Sequence, residues 1–133
     1  MNAPASSFQN SAGTVSFVAA GYVLLRWTPR ADSDADVLAI YNQGLAAMQR
    51  HGVTRILSNH SVRLPLSQAV QQWVLGSWIP QVETLAAPRA FAVVVAASPI
   101  SRLASRSMTS QLGQTIRHRE FDTEAEAERW LLA

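Results

Sequence analysis

At 133 residues, 48% of them hydrophobic, the chain has the size and composition of one globular domain and leaves no room for a second. It has no cysteine, and all eleven basic residues are arginine, so disulfides, thiolate chemistry, cysteine metal sites, a lysine Schiff base and a P-loop are excluded together. The net charge is only +2, scattered without a basic stripe, which is no footprint for nucleic acid, and no run approaches the roughly 20 apolar residues that span a bilayer. The start carries no basic region followed by an apolar core, so a cytoplasmic protein is expected.

Residues 1–12 are small and polar with a single aromatic, and are expected to be disordered, leaving 13–133 as the domain. Thr14–Ala19 and Tyr22–Trp27 flank Ala20-Gly21 as an antiparallel hairpin. Pro29 ends its second strand. Asp32, Ser33 or Asp34 can then cap a helix whose apolar stripe is Val37, Leu38, Tyr41, Leu45 and Met48, and Gly52 stops it. Val53–Leu57 reads as the next strand, followed by a loop over 58–66.

Ser67 is placed to cap a helix carrying Val70, Trp73, Val74, Trp78, Val82 and Leu85, in which Pro80 predicts a kink because it cannot bond the Gly76 carbonyl. Ala90–Ala97, continuously apolar, reads as a central parallel strand. Ser98-Pro99 opens a further helix with Leu103, Met108 and Leu112 inside, closed by Gly113. The charged strand ending at Phe121 is an edge. A last helix, capped by Asp122 or Thr123 with Glu126 completing a capping box, buries Ala127, Trp130 and Leu131. The class is α/β: a mixed sheet of about five strands, with an antiparallel hairpin and then parallel βα units, and about four helices.

Few residues suggest chemistry. His60 stands between Ser58 and Ser61, but neighbours on a loop seldom hold a nucleophile-and-base geometry, and no acid is adjacent. His51, His60 and His118 have no metal-ligand spacing. Glu124, Glu126 and Glu128 spread around a helix, as a solvated face does. No catalytic set, cofactor or metal site is therefore assigned. The connections after the third and fourth strands bring Arg63, Ser98, Ser101 and Arg102 towards one sheet edge, where they would hold an anion or else stand as ordinary surface residues. Trp73 and Trp78, five apart on a helix, face different sides, so the tryptophans are either core or one of these two lines a pocket or an interface.

The element order resembles small bacterial STAS-like proteins, relatives in fold of the sporulation anti-sigma-factor antagonist. So do Tyr22–Trp27, His51–Asn59, the Leu64-Pro65-Leu66-Ser67 entry to Trp73, Trp78-Ile79-Pro80, and Phe121-Asp122 running to Trp130-Leu131. The likeness covers nearly everything after residue 13. It implies a non-catalytic regulatory or protein-interaction module, a homodimer, and a phosphorylation switch at the start of the helix after the third strand, where Ser58, Ser61 and Ser67 lie here. Where the antagonists carry an Asp-Ser-Ser-Gly-like sequence, this chain has Asn59-His60-Ser61-Val62, without the acid or the glycine. The alternative is a binder of a small apolar or lipid-like ligand between the sheet and the kinked helix.

Overall fold

The computed structural model describes residues 6–30, 33–95, 99–100, 102–103, 106, 110–111 and 116–133. Six strands make one sheet in sequence order: β1 (Ser6–Asn10), β2 (Gly13–Val18), β3 (Tyr22–Trp27), β4 (Arg55–Asn59), β5 (Ala90–Val94) and β6 (Arg117–Phe121). The first three are antiparallel neighbours, and β3 to β6 run parallel. This is the expected α/β class with an antiparallel start and parallel βα units.

The extra strand corrects the expectation of disorder over residues 6–12, while residues 1–5 lie outside the described residues. Ser6–Asn10 has little β propensity of its own, yet it pairs with β2 through Phe8↔Val15 and Asn10↔Gly13. The turn between them is tied down on both sides. Asn10 accepts from the Ala12 N–H at 2.8 Å and donates its amide to the Asp36 carbonyl at 2.9 Å, while Thr28 Oγ1 donates to the Ser11 carbonyl at 2.6 Å. Gly13 is required at the close of this turn, because a Cβ there would run into the Arg26 carbonyl oxygen and stand 3.2 Å from the Trp27 Cα. Gly13→Ala is expected to cost about 1–3 kcal/mol by forcing the two backbones apart. A urea midpoint equal to that of the parent chain would show that the strands do not approach so closely.

Helix α1 (Asp34–His51) begins at Ser33, whose hydroxyl accepts from the Asp36 N–H, and ends at Gly52 in the left-handed region at φ 65. Its buried stripe includes Val37, Tyr41, Leu45 and Met48, as the spacing predicts, with Ile40, Gly44 and Ala47 beside them. The second crossover is a run of three helical segments: α2 (Gln68–Trp73), a π-helical stretch (Val74–Trp78) and α3 (Ile79–Val82). The stress at Pro80 is therefore not released as a simple bend. The turn before it widens, with the Ile79 N–H reaching back five residues to the Val74 carbonyl.

That widening corrects the reading of the two tryptophans. In a π turn, positions five apart come round to the same side, so Trp73 and Trp78 both address Tyr41, at ring-centroid distances of 6.2 and 4.9 Å. Trp78 is 2% exposed and donates its indole N–H to the Tyr41 carbonyl at 2.7 Å; Trp73 is half-buried against the same cluster. Neither is part of the wall of the cleft between the β3–α1 and β4–α2 connections. They belong to the larger core, which α1 and the second crossover make with Val15, Val23, Leu25, Ile56 and Phe91 on one face of the sheet.

The opposite face is closed by α4 (Glu124–Leu132), whose Ala127 and Leu131 pack on Tyr22, Leu24, Leu57, Ala92 and Val94, with Trp130 at the margin. Thr123 caps it and accepts from the Glu126 N–H at 3.2 Å, as the capping-box spacing requires. Its glutamates are not a purely solvated face. Glu124 takes a paired bond from Arg26 at 2.8 and 3.0 Å and another from Asn59 at 2.6 Å, and Glu128 accepts from the Tyr22 hydroxyl at 2.6 Å. These contacts lock α4 to the sheet. The Arg26 bonds hold the Glu124 carboxyl below its usual range, and burial, then Glu128, pushes the Tyr22 phenol well up.

Strand β4 begins and ends two residues later than the residues 53–57 expected of it, so Ser58 and Asn59 are strand residues rather than loop. The strand pairing decides this, since Asn59 stands opposite Arg26 on one side and Val94 on the other. After β5, Pro99, Ile100, Arg102, Leu103 and Arg106 are helical, and Leu103, expected inside, is exposed because neither core reaches it. Met108, Leu112 and Gly113 of that helix lie outside the described residues. No helix among the described residues is long and apolar enough to cross a membrane.

Candidate functional site

Because β3, β4 and β5 are parallel, the connections leaving their C-terminal ends gather at one edge of the sheet, the usual place for ligands in an open α/β sheet. The register carries Ser58 onto the face beneath α1, beside Trp27. The Trp27 indole N–H donates to Ser58 Oγ at 2.9 Å, and Ser58 Oγ lies 2.8 Å from His60 Nε2. Spacing along the chain argued against such a pair. The strand supplies it, since β4 ends at Asn59 and the turn that follows swings His60 back over the strand, where its N–H bonds the Val94 carbonyl at 2.9 Å.

The pair is sealed. Ser58 and His60 are both buried, His60 to 6% exposure, and burial first, then the nearby Arg63 charge, holds the imidazole proton affinity well below its usual value. A neutral imidazole bonded to a hydroxyl has the distance of a nucleophile and base, but no substrate can reach it in this conformation. What the arrangement does is satisfy three polar groups inside an aromatic cluster.

Arg63 is the largest departure from expectation. Instead of lying at the surface, it is 8% exposed, with its guanidinium 5.2 Å from the Trp27 ring centre and Nη1 donating to the Tyr41 hydroxyl at 3.3 Å. The turn His60–Arg63, closed by the Arg63 N–H on the His60 carbonyl at 3.0 Å, drives it inward. Arg102 is exposed, while Ser98 and Ser101, and with them the expected grouping, lie outside the described residues.

The serines divide by burial. Ser58 lies inside the Trp27 and His60 contacts, where a phosphoryl group has no room. Ser61 is half-buried and its N–H is held by Asn59 Oδ1 at 2.9 Å. Ser67 is the helix cap that the sequence predicts: its hydroxyl accepts from the Val70 N–H at 3.2 Å and donates to Asp34 at 2.9 Å. A phosphate on Ser67 would face that carboxylate and lose the cap.

Beside this cluster a cleft of ≈230 Å³ opens between the β3–α1 and β4–α2 connections. Trp27, Val37, Arg63, Leu66 and Val70 are buried members of its wall, and the exposed Arg30, Asp34, Leu64 and Ser67 stand at its mouth. Sequence reasoning missed it because Arg30 and Arg63 are 33 positions apart and only the neighbouring crossovers juxtapose them; the one local signal was Pro29 and Pro65 marking both loops. No group of three or more His, Asp or Glu able to hold a metal occurs among the described residues. Compared with known protein families and with characterised proteins, the chain matches none.

Proposed function

We propose that the domain is a non-catalytic regulatory or protein-interaction module of STAS-like type, and that the edge at the C-terminal ends of β4 and β5 is its docking face for a protein partner. One observation carries the reading. Val62 and Leu64 after β4 are 53% and 52% exposed, and Ile100 and Leu103 after β5 are 74% and 70% exposed. The backbone bond from His60 to Val94 ties the roots of these two connections together. Large apolar side chains held in water on adjacent connections mark a surface built to be covered. Exposed Arg102 and Arg106 lie beside them in sequence, Arg106 paired with Glu120 at 3.4 Å, so the fitting partner has an apolar centre with a polar rim. The order of an antiparallel start followed by parallel βα units supports the family likeness.

The test is a photo-crosslinking amino acid at position 64, followed by rebuilding the complex from purified chain and the protein so identified. Leu64→Asp and Ile100→Asp are expected to weaken that complex at least about tenfold while leaving the melting temperature unchanged, because both side chains are already solvated. Unchanged affinity in both variants would remove this face from the interface. Self-association broken by the same substitutions would make the partner a second copy.

A further inference from the structure

We infer that the cleft between the β3–α1 and β4–α2 connections is a binding site for a small monoanionic carboxylate carrying a compact apolar or aromatic body, with Arg63 as the carboxylate-binding residue. The inference does not rest on the docking face just described, although Leu64 stands at the border of both.

Size comes first. A cavity of about 150 Å³ lined by apolar side chains holds a benzene ring. The ≈230 Å³ of this cleft holds one ring, or a short branched chain, with one small polar group, and is too small for a fatty acyl chain. A lipid of any length would overflow it.

The lining then selects the chemistry. Trp27, Val37, Leu66 and Val70 present aromatic and aliphatic wall to the body of the ligand. Such a wall cannot replace the hydration shell of inorganic phosphate, and the two connections have no glycine-rich stretch of backbone N–H groups to do so. Set into the same wall is the buried Arg63, whose planar guanidinium matches the two oxygens of a carboxylate. Its plane is fixed by the Trp27 ring and the Tyr41 hydroxyl, so little side-chain freedom is lost when a ligand arrives. Among the described residues, Arg30 and Asp34 stand at the mouth near Arg63, and Asp34 is engaged by the Ser67 hydroxyl.

The experiment uses the full chain and three probes: phenylacetate, its neutral isostere phenylacetamide, and inorganic phosphate. Binding is read from the NMR signal of the Trp27 indole N–H, assigned with Trp27→Phe. Ten non-hydrogen atoms at the efficiency of ordinary ligands predict a dissociation constant of about 1 mM for phenylacetate. The expected result is a saturable shift of the Trp27 signal by phenylacetate, at least about tenfold weaker binding of phenylacetamide, and no matching shift with phosphate. Arg63→Met is expected to bring the two organic probes within about twofold of each other. If that variant does not fold, the exposed Arg30→Gln is expected to weaken phenylacetate several-fold and phenylacetamide hardly at all. Equal affinity for the acid and the amide in the parent chain, the same shifts with phosphate, or no Trp27 shift with any probe overturns the inference.

Discussion

Trp78→Ala is expected to remove about 3–5 kcal/mol of stability, a large part of the about 5–15 kcal/mol that holds a domain of this kind together. The indole is almost wholly buried and touches rings on two sides, Tyr41 at 4.9 Å and Phe91 at 5.6 Å between centroids. Its N–H also holds the Tyr41 carbonyl. Deleting it opens a large cavity between α1, the π turn and the sheet, which those elements cannot close without losing the Tyr41 contacts that also position Arg63. Trp78→Phe keeps most of the ring contact and gives up the hydrogen bond, so about 1–2 kcal/mol is expected. Chemical denaturation followed by near-ultraviolet circular dichroism reads both. A loss below about 1 kcal/mol in Trp78→Ala, with self-association abolished, would return Trp78 to an interface and remove it from the core.

The second large effect is a loss of stability in mild acid that depends on His60. Its folded proton affinity lies well below the ordinary value of 6.5, because burial first and the Arg63 charge second disfavour the imidazolium. Well above pH 6.5 the ring is neutral in both states and contributes no pH dependence. As pH falls below 6.5 the unfolded chain takes up a proton that the folded chain refuses, so stability drops by about 1.4 kcal/mol per pH unit. The drop continues until the folded value is reached. The loss is under way between about pH 7 and about pH 5, before carboxylates such as Glu124 add their own at lower pH. Urea midpoints measured across the interval are expected to fall steeply for the parent chain and to be flatter for His60→Gln, whatever that variant costs at neutral pH. Parallel slopes in the two proteins would place the acid sensitivity elsewhere.

Much of the fold was legible because it is written in local periodicities. The stripe from Val37 to Met48, the cap at Ser67, the apolar run from Ala90 and the cap at Thr123 each need only a few consecutive residues to be recognised, and each stands where its pattern put it. β1 was not legible. Ser-Ser-Phe-Gln-Asn has no strand signal, and its conformation comes from pairing with β2 and from side-chain bonds reaching to Asp36 and Thr28. The π turn escaped for a related reason, since Pro80 announces a disturbance without saying whether the helix bends or widens.

The site divides the same way. Composition and spacing alone determined that the chain has no cysteine or lysine chemistry and no phosphate loop, and that two connections would meet at the C-terminal edge of a parallel sheet. Only the tertiary structure decided that Ser58, His60 and Arg63 lie inside. Burial belongs to whatever packs over a residue, and here that is Trp27 and Tyr41, which the chain places 31 and 22 positions from the Ser58 and Arg63 they bond. Ending β4 two residues later turned an expected loop into a buried polar cluster beside a cleft, because strand residues two apart share a face and Ser58 therefore follows Ile56 into the core beneath α1.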